Sequence, residues 1–371
     1  MTAKRFIFMA AILLLLCTGL GIYGFVKASE HPKDYQSAGE IRWVLPPSTS
    51  HHIEYKDGVF FVSKGDKMSV MTVKDGKPQW RARGVLKYGG KDRLIYREDG
   101  KYGYMDLDGK VLIKARYDYA EAFYGDYALV RNGENLSYMV IDRHGNELYT
   151  FEEETTVMWE KEGLLSIYDD GRGEPDRILD CRSGTYAEYE QSLSPLGEGL
   201  YSELVKTKDD DALLVIRDKD GRLKLGGERF CSIDQFDHGV SYVKKENGQC
   251  GYMNTKGEMV LSLGGGWEAG SFREGKGVVD TGKRILIVDE KGRTIAERPK
   301  GDIVGVRFCV FSEGVSQLCI KKDGEKPPES WGYMDENGEF VVPPIFLHVE
   351  PVSQGCAIVQ YRSSMGIVKV K

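Results

Sequence analysis

The octet WGYMDENG at residues 331–338 recurs along the chain, and this repetition indicates the architecture. Near-identical octets occupy residues 102–109 (YGYMDLDG) and 250–257 (CGYMNTKG). Each octet joins an apolar segment to an Asp/Asn-x-x-Gly ending. This ending is typical of a hairpin turn, because the acid or amide caps its own backbone and the glycine adopts the positive φ that closes the loop. We therefore predict a strand followed by a tight turn at each octet.

Weaker copies of the same turn lie between the octets. The glycines that close the turns are Gly76, Gly109, Gly145, Gly184, Gly221, Gly257, Gly292 and Gly338. Their spacings fall between 33 and 46 residues. A spacing this regular indicates one module of roughly 37 residues, present in about nine copies.

A second motif lies between the octets and predicts a tight bend that leads into a half-buried strand. An apolar residue stands three positions before a glycine at residues 236–239 (FDHG), 272–275 (FREG) and 311–314 (FSEG), and an alternating apolar run follows. Each module then contains strand A after the bend, strand B at the octet and strand C after the turn. Three short strands cannot be stable alone, so neighbouring copies must bury their faces.

The octet, a hydrophobic-Pro-Pro stretch after it and the bend together resemble the bacterial WG-repeat family. Residues 331–346 follow the family pattern almost position by position, and the resemblance extends over residues 41–371. The signature Trp stands at Trp331 and is replaced by Tyr102 and Cys250 in the other octets. The family is defined by its repeat and mostly lacks an assigned activity. The resemblance therefore implies a repeat architecture and an interaction role rather than a reaction.

The two ends of the repeat region complement each other. The prolines at 46–47 precede Gly58 as those at 343–344 precede Gly355, with twelve residues from the first Pro to the Gly in both cases, so the region begins at a C strand. It ends at a B strand, residues 365–368, without a C strand of its own. We predict an all-β tandem repeat of about nine three-stranded antiparallel modules, in which the N-terminal strand completes the last module. This favours a closed β-propeller-like ring, and the alternative is an open β-solenoid that starts out of phase.

The N-terminal segment has the features of an export signal. Lys4 and Arg5 precede an uncharged run of 21 residues, 6–26. That length suffices for an uncleaved membrane anchor, whereas Ala28 provides the small residue of a cleaved signal peptide. Both alternatives place the bulk of the chain outside the cytoplasm, because the two basic residues stay inside. We divide the chain into a signal peptide or anchor (1–28), a linker (29–40) and a WG-repeat β domain (41–371).

The charge of the chain argues against a nucleic-acid partner. The formal net charge is −6, and it becomes −9 without residues 1–28, which contain three basic residues and no acid. A phosphate backbone requires a basic surface instead.

Six cysteines follow the N-terminal segment. Their even number suits disulfides in an oxidising compartment. Their positions, however, correspond to apolar or small residues in neighbouring modules, which favours buried thiols. Cys309 and Cys319 are the pair for which a disulfide is considered.

Binding is expected in the connections between strands A and B, which vary most and lie on one face if the modules are equivalent. These connections are residues 131–137, 169–176, 206–211, 244–249 and 321–330. The recurring octet tyrosines, Tyr104, Tyr252 and Tyr333, are assigned to packing. No catalytic, cofactor-binding or metal-binding residue is predicted, and no cofactor is expected.

Two kinds of sequence feature could suggest a metal site, a histidine pair and clusters of acidic residues. The pair His51-His52 has no acid or cysteine at ligand spacing and indicates polar surface rather than a metal site. Asp106-x-Asp108, Asp218-x-Asp220 and the run at 209–211 lack the remaining ligands of a calcium loop, which favours hairpin-turn roles. Sequence signatures of serine hydrolases, P-loop enzymes and zinc peptidases are absent.

The sequence therefore favours an extracytoplasmic binding or scaffold protein that presents loops to a cell-envelope protein or glycan. We expect this protein to be held at the membrane by its N-terminal segment, or to be secreted if that segment is cleaved after Ala28. The alternative is a cell-envelope carbohydrate-active enzyme with carboxylates gathered at a propeller axis.

Overall fold

The computed structural model describes residues 41–371 except 66, 86, 134–136, 153–154, 162, 169–176, 188–192, 207–211, 219 and 322–328. Among these residues the only helical element is a 3-10 turn, Leu225–Gly227, and 35 strands form eight antiparallel sheets. The all-β repeat of small antiparallel sheets is therefore confirmed. No helix in the described ranges is long and apolar enough to cross a membrane. The predicted signal or anchor at 1–28 and the linker at 29–40 lie outside the described residues.

The sheets are numbered in chain order, except that the first strand, β1 (Arg42–Ser48), belongs to the last sheet. Sheet 1 contains β2 (His51–Lys56), β3 (Val59–Lys64), β4 (Lys67–Lys74) and β5 (Lys77–Val85). Sheet 2 contains β6 (Lys87–Tyr88), β7 (Arg93–Glu98), β8 (Lys101–Asp106) and β9 (Val111–Tyr117). Sheet 3 contains β10 (Tyr119–Ala120), β11 (Tyr127–Arg131), β12 (Tyr138–Asp142) and β13 (Glu147–Thr150). Sheet 4 contains β14 (Thr156–Lys161), β15 (Leu164–Tyr168), β16 (Arg177–Asp180) and β17 (Thr185–Ala187).

Sheet 5 has seven strands: β18 (Ser194–Gly197), β19 (Leu200–Lys206), β20 (Ala212–Asp218), β21 (Phe230–Ile233), β22 (Val240–Lys245), β23 (Cys250–Asn254) and β24 (Met259–Ser262). Sheet 6 contains β25 (Glu268–Ala269), β26 (Lys276–Asp280), β27 (Arg284–Asp289) and β28 (Thr294–Pro299). Sheet 7 contains β29 (Phe311–Ser312), β30 (Val315–Lys321), β31 (Glu329–Asp335) and β32 (Phe340–Phe346). Sheet 8 contains β33 (His348–Val349), β34 (Cys356–Tyr361), β35 (Ser364–Lys369) and β1.

The prediction of three strands per module is wrong, because seven of these sheets have four. The additional strand precedes strand A and pairs with it, as Tyr119 does with Arg131 and His348 with Gln360. In sheet 7 it lies within the bend itself, since β29 consists of Phe311 and Ser312. In sheets 2, 3, 6, 7 and 8 this first strand has only two residues. A two-residue strand is too short to show an alternation of apolar and polar residues, so no periodic pattern predicts it.

The glycine and the proline pair of the repeat belong to one structural feature. In sheet 7, Trp331 pairs with Phe346 but Tyr333 pairs with Val342, so strand C bulges opposite Gly332. A Cβ at Gly332 would lie 2.5 Å from the Val342 carbonyl oxygen and 2.8 Å from the nitrogen of Pro344. Strand C therefore crosses strand B so closely that only a glycine fits there.

The N-terminal strand occupies the same position in the last sheet. Strand β1 pairs with β35, with Trp43 opposite Val368 and Ser48 opposite Met365. A Cβ at Gly366 would lie 2.9 Å from the Leu45 carbonyl oxygen, which is the contact that Gly332 makes in sheet 7. The prediction that the N-terminal strand acts as strand C of the last module is confirmed at the level of this pairing.

The octet tyrosines join each sheet to the next one. Tyr104 in sheet 2 donates a hydrogen bond of 2.7 Å to the Glu121 carbonyl in sheet 3, and its ring lies edge-on to Phe123 at 4.8 Å. Tyr252 makes the equivalent bond of 2.8 Å to Gly270, and Tyr333 one of 2.6 Å to Glu350. All three side chains are at most 1 % exposed. Their assignment to packing is confirmed, and each also satisfies a backbone carbonyl of the following sheet.

A second link between sheets lies at the bends. The Glu274 carboxylate accepts hydrogen bonds of 2.6 and 2.7 Å from the Glu313 and Gly314 amides of the next bend. Glu313 does the same for Gln354 and Gly355, at 2.8 Å each. The Gln354 side chain then accepts from Val73 N at 2.9 Å and donates to the Gly58 carbonyl, so sheet 8 is linked to sheet 1.

Four of the six described cysteines are core residues, as expected: Cys181, Cys309, Cys319 and Cys356. All six are free, so the pair considered for a disulfide, Cys309 and Cys319, is not joined. Burial raises the pKa of the Cys309 thiol to about 12 and that of Cys319 to about 11. Cys231 differs because it is exposed.

We expect Tyr252→Phe to lower the free energy of unfolding by about 1–3 kcal/mol, because the substitution leaves a buried carbonyl without its donor. Urea denaturation measures this value. The matched control is Tyr186→Phe, since Tyr186 is 55 % exposed. Equal stability of the two variants would contradict the role of the octet tyrosine.

We expect a thiol reagent at pH 8 to modify Cys231 rapidly in the folded protein and the four buried thiols only after unfolding. The physical reason is that burial and a raised pKa keep those four protonated and inaccessible. Mass spectrometry counts the modified sites, and Cys231→Ser serves as the control that removes the rapid phase. Fewer than six reactive thiols after residue 40 in the unfolded, unreduced protein would contradict the free-thiol assignment.

Candidate binding cleft

The predicted binding loops are described only in part. Residues 169–176 lie outside the described residues, as do 134–136, 207–211 and 322–328 of three other loops. The loop at 244–249 is described and packs against its own sheet: Lys245 Nζ lies 2.8 Å from Glu228 Oε1, and Glu246 N donates to the Arg229 carbonyl at 3.0 Å. These contacts give this loop a structural role.

The pair His51-His52 lies at the start of β2. His52 Nε2 lies 3.1 Å from Glu54 Oε1, and the His52 side chain is 66 % exposed. Burial, with the nearby charge of Lys64, lowers the pKa of His51. No group of three or more His, Cys, Asp or Glu side chains able to hold a metal ion occurs within the described part of the chain.

The acidic octet endings form turns, as predicted. Asp106 Oδ1 accepts hydrogen bonds of 2.9 Å from the amides of Asp108 and Lys110. Asp218 Oδ1 does the same for Asp220 and Arg222, at 3.0 and 2.9 Å. These carboxylates cap their own loops, which is the hairpin role. The run at 209–211 lies outside the described residues.

A cleft of about 390 Å³ opens where the segments before three bends lie side by side. Its lining comes from sheets 5 and 6 and from the connection at 300–310, which joins β28 to β29. The lining residues are Asp234, Gln235, Ser271, Arg273, Arg307, Phe308, Cys309 and Val310. The cleft therefore combines charged, amide, hydroxyl and aromatic groups in one place.

Side-chain contacts fix the polar wall of the cleft. Ser271 Oγ donates to Asp234 Oδ2 at 2.7 Å, which joins sheet 6 to sheet 5. Arg273 Nη2 donates to Gln235 Oε1 at 2.8 Å across the same boundary. The polar groups are thus held in place before any ligand arrives, which lowers the entropy cost of binding.

Asp237 lies beside this wall and stays ionised. Burial alone would raise its pKa, but hydrogen bonds from His238 and from the Gly275 amide, with the charge of Arg273, bring the pKa below its usual range. The hydrogen bond between His238 and Asp237, with the negative charge of Asp237, raises the pKa of His238.

The lining also includes Phe308, which is 77 % exposed, the highest value for a large apolar side chain in the described residues. Its ring centroid lies 6.4 Å from that of Trp331. Arg307 Nη2 next to it is held 3.0 Å from Glu268 Oε1. The buried Cys309 thiol, with its pKa raised to about 12, is no nucleophile at neutral pH. These groups suit ligand binding.

Sequence reasoning placed function in the A-to-B connections and missed the connection at 300–310, which precedes a first strand. The available signal was the spacing of 46 residues between Gly292 and Gly338, the longest in the repeat. This spacing is longer than the usual module, and some of the additional residues lie in the connection at 300–310, which carries Phe308.

Two carboxyl groups at the junction of sheets 8 and 1 show opposite pKa shifts. Hydrogen bonds from Lys56 and His52 lower the pKa of Glu54. Burial raises the pKa of Glu350, and the negative charge of Glu54 adds to that rise. Opposite shifts in a pair of carboxyl groups are found in acid-base catalysts.

Structural comparison gives distant likenesses. A eukaryotic initiation factor is 12% identical with a TM-score of 0.40, covering 88% of this chain and 86% of that one. Kluyvelomyces marxianus Hsv2 is 9% identical with a TM-score of 0.24, covering 85% and 89%. The N-terminal domain of Nup159 is 14% identical with a TM-score of 0.25, covering 88% and 90%. TM-scores this low add nothing to the account of the fold.

A comparison with curated proteins finds no match. Two segments, residues 102–135 and 331–363, match the family model of the WG containing repeat. Each begins at an octet whose glycine is crossed by strand C and whose tyrosine bonds to the next sheet. The octet at 250–257 has the same geometry outside the matched segments. Residues 102–135 and 331–363 are therefore two copies of the WG containing repeat.

Proposed function

We propose that this protein is a non-catalytic binding protein of the cell envelope that holds its partner in the cleft lined by sheets 5 and 6 and the connection at 300–310. The observation that carries the proposal is the exposed Phe308 ring, which lines the same cleft as a set of fixed polar groups. Burial of a phenylalanine side chain is worth about 1.5–3 kcal/mol. A partner that covers this ring gains that energy and finds polar groups to orient it.

The envelope location rests on the N-terminal segment. Its basic flank and uncharged run of 21 residues are those of an export signal or an anchor. The repeat domain then lies outside the cytoplasm, where its partner is an envelope glycan or protein.

The proposal includes a closed ring of nine modules, eight with four strands and one, β18–β20, with three. Its support is the β1–β35 pairing, the Gln354 link to sheet 1 and a core cluster that joins Cys356 and Ile358 to Ile53 and Phe60. Sheet 5 accounts for two modules, because its two halves meet at one residue pair, Leu214 and Phe230. Ring closure removes exposed sheet edges.

The carbohydrate-active enzyme is a second candidate, and one observation favours it. Glu54 and Glu350 have pKa values shifted in opposite directions, as the base and the acid of a glycoside hydrolase do. The acids at the bends do not add to this case, since Glu274 and Glu313 accept backbone hydrogen bonds.

We expect the repeat domain, immobilised and exposed to an envelope extract, to retain a component that Phe308→Ala fails to retain. The loss follows from removal of the exposed ring. Tyr186→Ala, which changes an exposed aromatic residue outside the cleft, should retain the component. Equal retention by all three proteins would contradict the cleft as the binding site. Release of shortened glycans by the wild type but not by Glu350→Gln would replace this function with the enzyme.

A further inference from the structure

We propose that the cleft binds an uncharged oligosaccharide, with Phe308 stacked on one sugar ring and the wall of Asp234, Gln235 and Arg273 bonded to its hydroxyl groups. This inference rests on the proposed binding function and names the ligand class. It follows from three properties of the cleft: its charge, its hydrogen-bonding groups and the position of its aromatic ring.

The charges of the cleft are already paired within the protein. Arg307 is held by Glu268 at 3.0 Å, and Arg273 lies 3.7 Å from Asp237. With Asp234 included, these five side chains carry one more negative than positive charge. An anionic glycan or an acidic peptide would therefore meet no surplus of positive charge, whereas a neutral ligand leaves these pairs intact.

The polar wall presents donors and acceptors side by side. A carboxylate only accepts, a guanidinium only donates and an amide does both, and each has more capacity than its contact with the neighbouring sheet uses. Adjacent hydroxyl groups of a sugar each donate and accept, so they match such a wall. The contacts of Asp234 with Ser271 and of Arg273 with Gln235 fix the spacing of these groups.

The aromatic wall suits the apolar face of a sugar ring. Phe308 exposes a flat surface and has no hydroxyl of its own, so it contributes contact area rather than a hydrogen bond. Trp331 beside it, with ring centroids 6.4 Å apart, limits how far the ring can move. An open cleft with one ring and one polar wall fits a chain that passes through it.

The test is isothermal titration of the full repeat domain with chitotetraose, cellotetraose and maltotetraose, and with tetragalacturonate as the anionic counterpart. We expect one neutral tetrasaccharide to bind, and Phe308→Ala to weaken it at least about tenfold, since ring burial supplies more than one factor of ten. Phe308→Tyr keeps the ring and should bind within about threefold of the wild type. Raising NaCl from about 50 to about 300 mM should leave the affinity of a neutral ligand nearly unchanged.

Preference for tetragalacturonate, or a steep loss of affinity with salt, would overturn the neutral-glycan assignment. Binding of a neutral glycan that Phe308→Ala leaves unchanged would overturn the cleft as its site. If no glycan binds while the extract assay still shows retention that depends on Phe308, this inference fails and the binding function stands with a protein partner. If that retention is absent as well, both fail.

Discussion

A four-stranded sheet with two apolar faces is unstable in water, and in this protein each sheet is completed by its neighbour. At three junctions the octet tyrosine packs one sheet against the next. Its ring fills the space between two sheets, and its hydroxyl satisfies a carbonyl of the following sheet. The octet glycine makes room for strand C on the other side. One short motif therefore builds both the sheet and its junction, which explains why Tyr and Gly occur together at the repeat positions.

The same arrangement explains where a ligand can bind. Most side chains of strands A and B are buried between the sheets and cannot contact a ligand. In the turns, the Asp side chains accept hydrogen bonds from their own loops. The segments before the bends are less constrained, because only part of each is paired with strand A. In sheets 5 and 6 these segments carry polar groups that hold one another across the junction, and the connection at 300–310 adds an exposed ring. The cleft is thus a local variation on a repeated frame.

Much of this architecture is readable from the sequence because its signals are periodic. The octets predicted strand B and its turn, the glycine spacing predicted the modules, and the prolines at 46–47 predicted the pairing of the N-terminal strand. The first strands of the sheets could not be predicted, because two residues, such as Tyr119 and Ala120, show no alternation of apolar and polar side chains. The cleft could not be predicted, because it depends on contacts between modules. One such contact joins Ser271 to Asp234, which lie 37 positions apart in the sequence. The repeat period predicts that such positions are neighbours, but it does not predict that their side chains form a cleft.

The proposed ring depends most on the N-terminal strand, β1, lying over Gly366. The free energy of unfolding of Gly366→Ala tests this directly, with Gly265→Ala as the control, since a Cβ at Gly265 meets nothing within 4 Å. If β1 covers β35, the new methyl group meets the Leu45 carbonyl and the Trp43 ring, and stability falls by about 1–3 kcal/mol. If β35 were an uncovered edge strand, Gly366→Ala would leave stability unchanged or raise it, and the pairing that supports the proposed ring would be wrong.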